Sequence, residues 1–142
     1  MAIERGRVSF NTKHGAEIYR RSLSILLECA IHELYPDVSL HVGQTLMKGY
    51  FYEINDGQYI TSSFINKVTH RMREIISEDE KFKNVKMKKE KVLSLCRKYG
   101  REDKYNAVRY LPDAEIEIVL LRRYFDFMLA ETVFSAGSLK TF

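Results

Sequence analysis

The sequence predicts an α+β fold, with a largely antiparallel sheet packed against helices. Apolar residues recur at helical spacing in some stretches and alternate with polar ones in others. The two kinds of stretch mix without the strand–helix–strand repeat that builds a parallel sheet. With 142 residues, 45% of them hydrophobic, the chain has material for one domain around one core, and residues 1–142 show no linker and no internal repeat.

Residues 7–10 are expected to open the chain as a short strand. Over residues 16–34, Tyr19, Leu23, Leu26, Leu27, Ala30, Ile31 and Leu34 fall at helical intervals, with Arg20, Arg21, Glu28 and His32 on the polar side. Pro36 ends this helix, because a residue ahead of proline is pushed out of helical backbone. Residues 38–42 alternate as a strand, and residues 49–55 form an aromatic-rich second one that closes on the turn Asn55-Asp56-Gly57. Thr61, Ser62 and Ser63 offer an N-cap to a helix whose inner face carries Ile65, Val68, Met72, Ile75 and Ile76. Its outer face carries Lys67, His70, Arg71, Arg73 and Glu74. A strand follows at 82–87, then a helix at 89–99 that aligns Val92, Leu95, Cys96 and Tyr99 and stops at Gly100 in a C-cap position. Residues 103–110 form a further helix, and residues 116–128 two strands that break near Arg122-Arg123. The end, residues 139–142, is strand-like.

The net charge of +4 is unevenly spread. Residues 81–109 hold eleven Lys/Arg and three Asp/Glu, a balance of +8, so the remainder sums to −4. Such a block either meets the phosphates of RNA or a nucleotide, or forms the solvated face of a helix pair. No run of about 18 apolar residues is present to span a membrane, and the first residues lack the apolar stretch of a signal peptide, so a cytoplasmic protein is expected. Cys29 and Cys96 lie in apolar, helix-like contexts without a C-x-x-C pair, which predicts two buried thiols rather than a zinc site.

Several chemistries lack their residues. The seven glycines include no pair with P-loop spacing and no G-x-G-x-x-G, so the chain has no Gly-rich cradle for ATP phosphates. His14, His32, His41 and His70 contain no i, i+4 pair, which excludes a helical two-histidine metal site. Glu28 and His32 are four apart on one helix. They are either a carboxylate orienting a general base or, the plainer expectation, an exposed helical pair. No G-x-S-x-G elbow occurs.

The last seventeen residues, from Asp126 to Phe142, contain Asp126, Val133, Ser135, Gly137, Leu139, Lys140 and Phe142 in one frame. This frame resembles the end of the editing-type domain of threonyl-tRNA synthetases, D-L-C-R-G-P-H-V-P-S-T-G-x-(I/L)-K-x-F. The likeness continues in order through Tyr35-Pro36-Asp37-Val38, Val42-Gly43, Gly49-Tyr50-Phe51-Tyr52, Arg71 to Ile76 and Gly100 to Lys104. It covers the chain from about residue 19 to its end. The resemblance implies the fold of the synthetases' second additional, or editing, domain. It also implies a pocket bordered here by Arg21, Ile25, Tyr52, Lys104, Met128 and Thr132. Four of these positions depart from the pattern: Arg21 and Ile25 replace the two histidines of its H-x-x-x-H, Met128 replaces its cysteine and Thr132 its histidine. Lys104 matches the pocket lysine.

A deacylase needs an ordered water and groups that manage its proton, and arginine, isoleucine, methionine and threonine do this poorly. Asn11 to Gly15, Tyr19 to Leu23 and Ser135 to Phe142 also resemble the N-terminal part of a bacterial uridine kinase-like family, in which a synthetase-like domain precedes a P-loop kinase domain. That resemblance implies a non-catalytic accessory domain with no cofactor of its own. ATP and magnesium would belong to a kinase domain beyond residue 142. Its partners would be that kinase domain, a nucleotide or RNA, and no membrane. Within the pocket, Arg21 and Lys104 either hold a phosphate or carboxylate, or Arg21 pairs locally with Glu17 while Met128 and Ile25 fill the space. The alternatives are a divergent aminoacyl-tRNA editing deacylase working through Lys104, Thr132 and His41, and an RNA-binding module that stacks bases on its tyrosines and phenylalanines.

Overall fold

The structure is a computed structural model that describes residues 12–36, 38, 40–46, 49–54, 60–127 and 132–142, with backbone alone for 40–46 and 49–54. The expected strand at 7–10 and the turn at 55–57 lie outside the described residues. Helix α1 (Lys13–Leu34) begins earlier than its apolar spacing predicts, because Thr12 caps it: the Thr12 hydroxyl accepts from the Gly15 amide at 3.0 Å. It ends where Tyr35 N donates to Ile31 O at 2.7 Å, just ahead of Pro36. Strands β1 (Leu40–Leu46) and β2 (Gly49–Ile54) form an antiparallel hairpin whose register shifts between Val42 and Thr45.

Helix α2 (Ser62–Ser77) starts from Thr61, whose hydroxyl accepts from the Phe64 amide at 3.1 Å. Its core face is Phe64, Val68, Met72 and Ile75. Ile65, expected inside, is 52% exposed. Phe64 takes the inner position because its ring stacks on Tyr35 with centroids 5.0 Å apart, leaving the next residue a third of a turn away in solvent.

Strand β3 (Phe82–Lys88), helices α3 (Lys89–Lys98) and α4 (Glu102–Arg109), and strands β4 (Glu115–Leu121) and β5 (Tyr124–Phe127) complete the domain. The sheet order is β3-β4-β5, antiparallel throughout, with Phe82 opposite Leu121 and Leu121 opposite Tyr124. Both faces of this sheet are covered. Phe82, Val119, Leu121 and Tyr124 join the core of α1 and α2, while Ile116, Ile118 and Phe125 join Val92, Cys96 and Val108 of α3 and α4. Double coverage explains why the run from Ile116 to Leu121 lacks clean alternation.

The chain end is not a strand as expected. Residues 136–138 form a 3₁₀ turn, and Leu139 is fully buried in the α1–α2 core. Phe82 N donates to Phe134 O and Ala136 N to Glu80 O, which ties this segment to the start of β3. Among the described residues no helix is long and apolar enough to cross a membrane, and no group of three or more His, Cys, Asp or Glu is placed to hold a metal ion.

Candidate functional site

A buried polar cluster lies where α1, α4 and β5 meet. Glu28 comes from α1 and is 3% exposed. Its Oε1 accepts from the Tyr124 hydroxyl at 2.8 Å and from Arg101 Nη1 at 3.2 Å, and its Oε2 accepts from Ser24 Oγ at 3.3 Å. Arg101 reaches the cluster because Gly100, at φ +64, turns the chain sharply after α3, and Arg101 N then bonds back to Cys96 O at 2.8 Å. The guanidinium also donates to the Tyr124 hydroxyl, and through Nε and Nη2 to both oxygens of Asp103 at 3.1 and 2.9 Å.

Lys104, one turn into α4, is equally committed. Its Nζ lies 3.0 Å from Asp126 Oδ1, 3.0 Å from Phe125 O and 3.4 Å from the Tyr124 hydroxyl. An ammonium has three donors, and each here has an acceptor. The same group sits over the Tyr124 and Phe125 rings, about which it gains further cation–π attraction.

The electrostatics follow from burial and pairing. Burial, reinforced by the Glu28 charge, pushes the Tyr124 phenol far up, so it stays a neutral donor. Burial works against the charge of Arg101, but the hydrogen bonds it donates to Asp103 and the charges of Asp103 and Glu28 outweigh it and the guanidinium stays protonated. Desolvation and the Arg101 charge hold the His32 imidazole below its ordinary value. The three carboxylates of Glu28, Asp103 and Asp126 face one guanidinium and one ammonium, a formal balance of −1.

The expected exposed pair of Glu28 and His32 is corrected. Glu28 is buried and bonded to Tyr124, Arg101 and Ser24, while His32 packs edge-on against the Tyr99 ring at 4.7 Å. Among the pocket residues implied by resemblance, Lys104 is in the cluster and Ile25 is 2% exposed in the core one helical turn before Glu28. Arg21 is half-buried on α1. Thr132 is 1% exposed, and its hydroxyl has no hydrogen-bond partner among the described residues. Val133 N donates to Ser22 Oγ at 2.8 Å, which sets the segment from Thr132 beside the α1 turn that carries Arg21 and Ile25. Tyr52 has its backbone in β2 opposite Val42 and its side chain outside the described residues; Met128 lies wholly outside them.

Sequence reasoning missed Arg101, Tyr124 and Asp126 as cluster members. A carboxylate between Leu27 and Cys29 in an apolar helix was the available signal, since a buried acid demands nearby donors. Cys29 and Cys96 are buried free thiols as expected, and burial raises both.

No family model matches the chain. It is similar to threonyl-tRNA ligases. With the Threonine–tRNA ligase of Desulforamulus reducens it shares 30% identity over 135 residues, covering 94% of this chain and 21% of that protein. With that of Clostridioides difficile the identity is 28% over 107 residues, 75% of this chain and 17% of the relative. With that of Acetivibrio thermocellus it is 25% over 136 residues, 95% and 21%. The chain thus spans about a fifth of the length of the curated relatives it matches. Together with the α+β fold, these similarities support a threonyl-tRNA-ligase-like domain.

Proposed function

We propose that this chain is a non-catalytic accessory domain built on the editing-type scaffold of a tRNA ligase, serving binding or regulation rather than hydrolysis. The observation that carries the reading is the closed cluster around Tyr124. Lys104, the matched pocket lysine, has each donor engaged by Asp126, Phe125 O and Tyr124, leaving none for a substrate or a water. Ile25 offers no proton chemistry and is sealed in the core. A general base needs a lone pair facing a reacting water, and Glu28 spends its Oε1 on Tyr124 and Arg101.

In this reading the parent protein is a cytoplasmic, ATP- and magnesium-dependent nucleoside kinase of the uridine kinase-like kind, with this domain ahead of its P-loop domain. The support is the run of residues at 11–15, 19–23 and 135–142 that resembles that family. The coding sequence after residue 142 tests it. A G-x-x-x-x-G-K-S/T within roughly the next 150 residues, about one domain, agrees with the kinase parent. A stop codon at or near residue 142 removes it.

One observation favours a second reading, a divergent deacylase of mischarged tRNA. The buried Thr132 hydroxyl has no hydrogen-bond partner among the described residues, and a buried polar group calls for one. Release of serine from seryl-tRNA separates the two. The accessory reading expects no acceleration over buffer, and turnover would replace it with the deacylase.

A further inference from the structure

The solvent side of α3 and α4 carries guanidinium groups and phenol rings in alternation. Arg97 lies over the Tyr105 ring, with Cζ 4.8 Å from its centroid, and donates to the Tyr105 hydroxyl at 2.6 Å. Arg109 lies 5.9 Å from the same ring and 4.9 Å from the ring of Tyr110. The series ends on Tyr110, which is 78% exposed.

Neither Arg97 nor Arg109 has a carboxylate partner among the described residues. On the α1–α2 side, by contrast, Arg71 and Arg122 are engaged by Glu33, Glu74, Glu78 and Glu80. Helices α3 and α4 together carry six Lys/Arg and three Asp/Glu, a balance of +3. An acidic peptide would satisfy the arginines but has no use for a bare phenol face. A single-stranded nucleic acid satisfies both, since its phosphates take the guanidinium groups and every base has a π-face to stack.

We propose that the α3–α4 face binds single-stranded RNA, with a base stacked on Tyr110 and phosphates held by Arg97 and Arg109. The choice of RNA over DNA rests on the tRNA-ligase-like reading above; the location of the surface does not. The Glu28–Tyr124 cluster takes no part in it.

The test is fluorescence anisotropy of a labelled 12-nucleotide oligouridylate titrated with the 142-residue chain at several salt concentrations. Binding is expected, with affinity falling linearly in log–log form as salt rises. Tyr110→Ala is expected to weaken it about five-fold or more, and Arg109→Ala to reduce the salt slope by about one. Tyr110 is exposed, and an unchanged thermal melt confirms that its variant is folded. The proposal is overturned by absence of binding at low salt, or by binding that Tyr110→Ala leaves unchanged. It is equally overturned if a DNA oligomer or an RNA duplex binds as tightly, or if polyglutamate competes as well as unlabelled RNA. Serine release from seryl-tRNA reports on the buried cluster alone, so failure here and failure of the accessory reading are distinguishable.

Discussion

Tyr124 is the residue on which the buried cluster turns, because its one hydroxyl donates to Glu28 while accepting from Arg101 and Lys104. Removing a member has graded consequences. Tyr124→Phe deletes the hydroxyl but leaves Glu28, Arg101 and Lys104 two other partners each, a loss of about 1–3 kcal/mol. Glu28→Ala strips the buried Arg101 and Tyr124 of their shared carboxylate and is expected to cost more, about 3–5 kcal/mol. Urea midpoints of the two variants check the order, and a smaller loss for Glu28→Ala would contradict it. The pH dependence follows the same groups. His32 is held below its ordinary 6.5 by burial and Arg101, so the unfolded chain takes up its proton first and stability declines as pH falls through 6.5. Burial alone would raise Asp103 and Glu33, but hydrogen bonds from Arg101 and from Arg71 with Arg122 hold both below their ordinary 3.8 and 4.5. Their contribution is complete above those values and is lost as pH falls below them. His32→Asn should therefore flatten the first decline and leave the second, as read by thermal melts between pH 7 and 3. At this scale the sequence exposed little. Lys104 was legible through a motif, whereas Arg101 and Tyr124 become partners of Glu28 only when distant segments meet.

Two connections carry strain that side chains repay at the level of elements. The β4–β5 turn puts Arg122 at φ 57, a left-handed conformation that costs a non-glycine residue about 1 kcal/mol or more. Its guanidinium meets Glu33 at 2.8 Å, Glu78 at 2.7 Å and Glu80 at 3.0 Å, binding α1 and the end of α2 to the hairpin. Partly exposed pairs are worth about 0.2–1 kcal/mol each, so gain and strain nearly cancel. Arg122→Gly should then change stability by less than about 1 kcal/mol, since it removes both. Arg122→Val keeps the strain, loses the pairs and should cost about 2 kcal/mol or more. At the second connection, Asp79 sits at φ 52 and its Oδ1 accepts from Gly137 N at 2.8 Å. A Cβ on Gly137 would lie 2.3 Å from that oxygen. Gly137→Ala should destabilise by about 1–3 kcal/mol, and adding Asp79→Gly should cost less than the sum of the single changes, which a double-mutant cycle measures. Most elements were legible because periodicity reports burial: α1 to α4 and the β4–β5 break fall close to their expected positions. Ile65 and residues 139–142 were misplaced because periodicity cannot choose between adjacent apolar residues, nor tell a buried plug such as Leu139 from a strand.

For the whole molecule, a sheet covered on both faces joins two apolar cores, and the charged groups divide by side. Acids gather around Arg71 and Arg122 near α1 and α2, while Arg97 and Arg109 on α3 and α4 have no carboxylate partner among the described residues. The uneven charge was visible in the sequence, but which cations stay unpaired required the fold. The α+β class was legible from mixed periodicities, and the threonyl-tRNA-ligase-like scaffold from ordered motifs that the similarity to those ligases supports. The central claim is that this scaffold holds a cluster closed to substrate. Serine release from seryl-tRNA, measured in parallel with the chain, its Lys104→Ala variant and buffer, tests that claim most directly. The account predicts one common rate for all three. Faster release by the parent chain, lost in Lys104→Ala, would contradict it and make Lys104 part of a working active site.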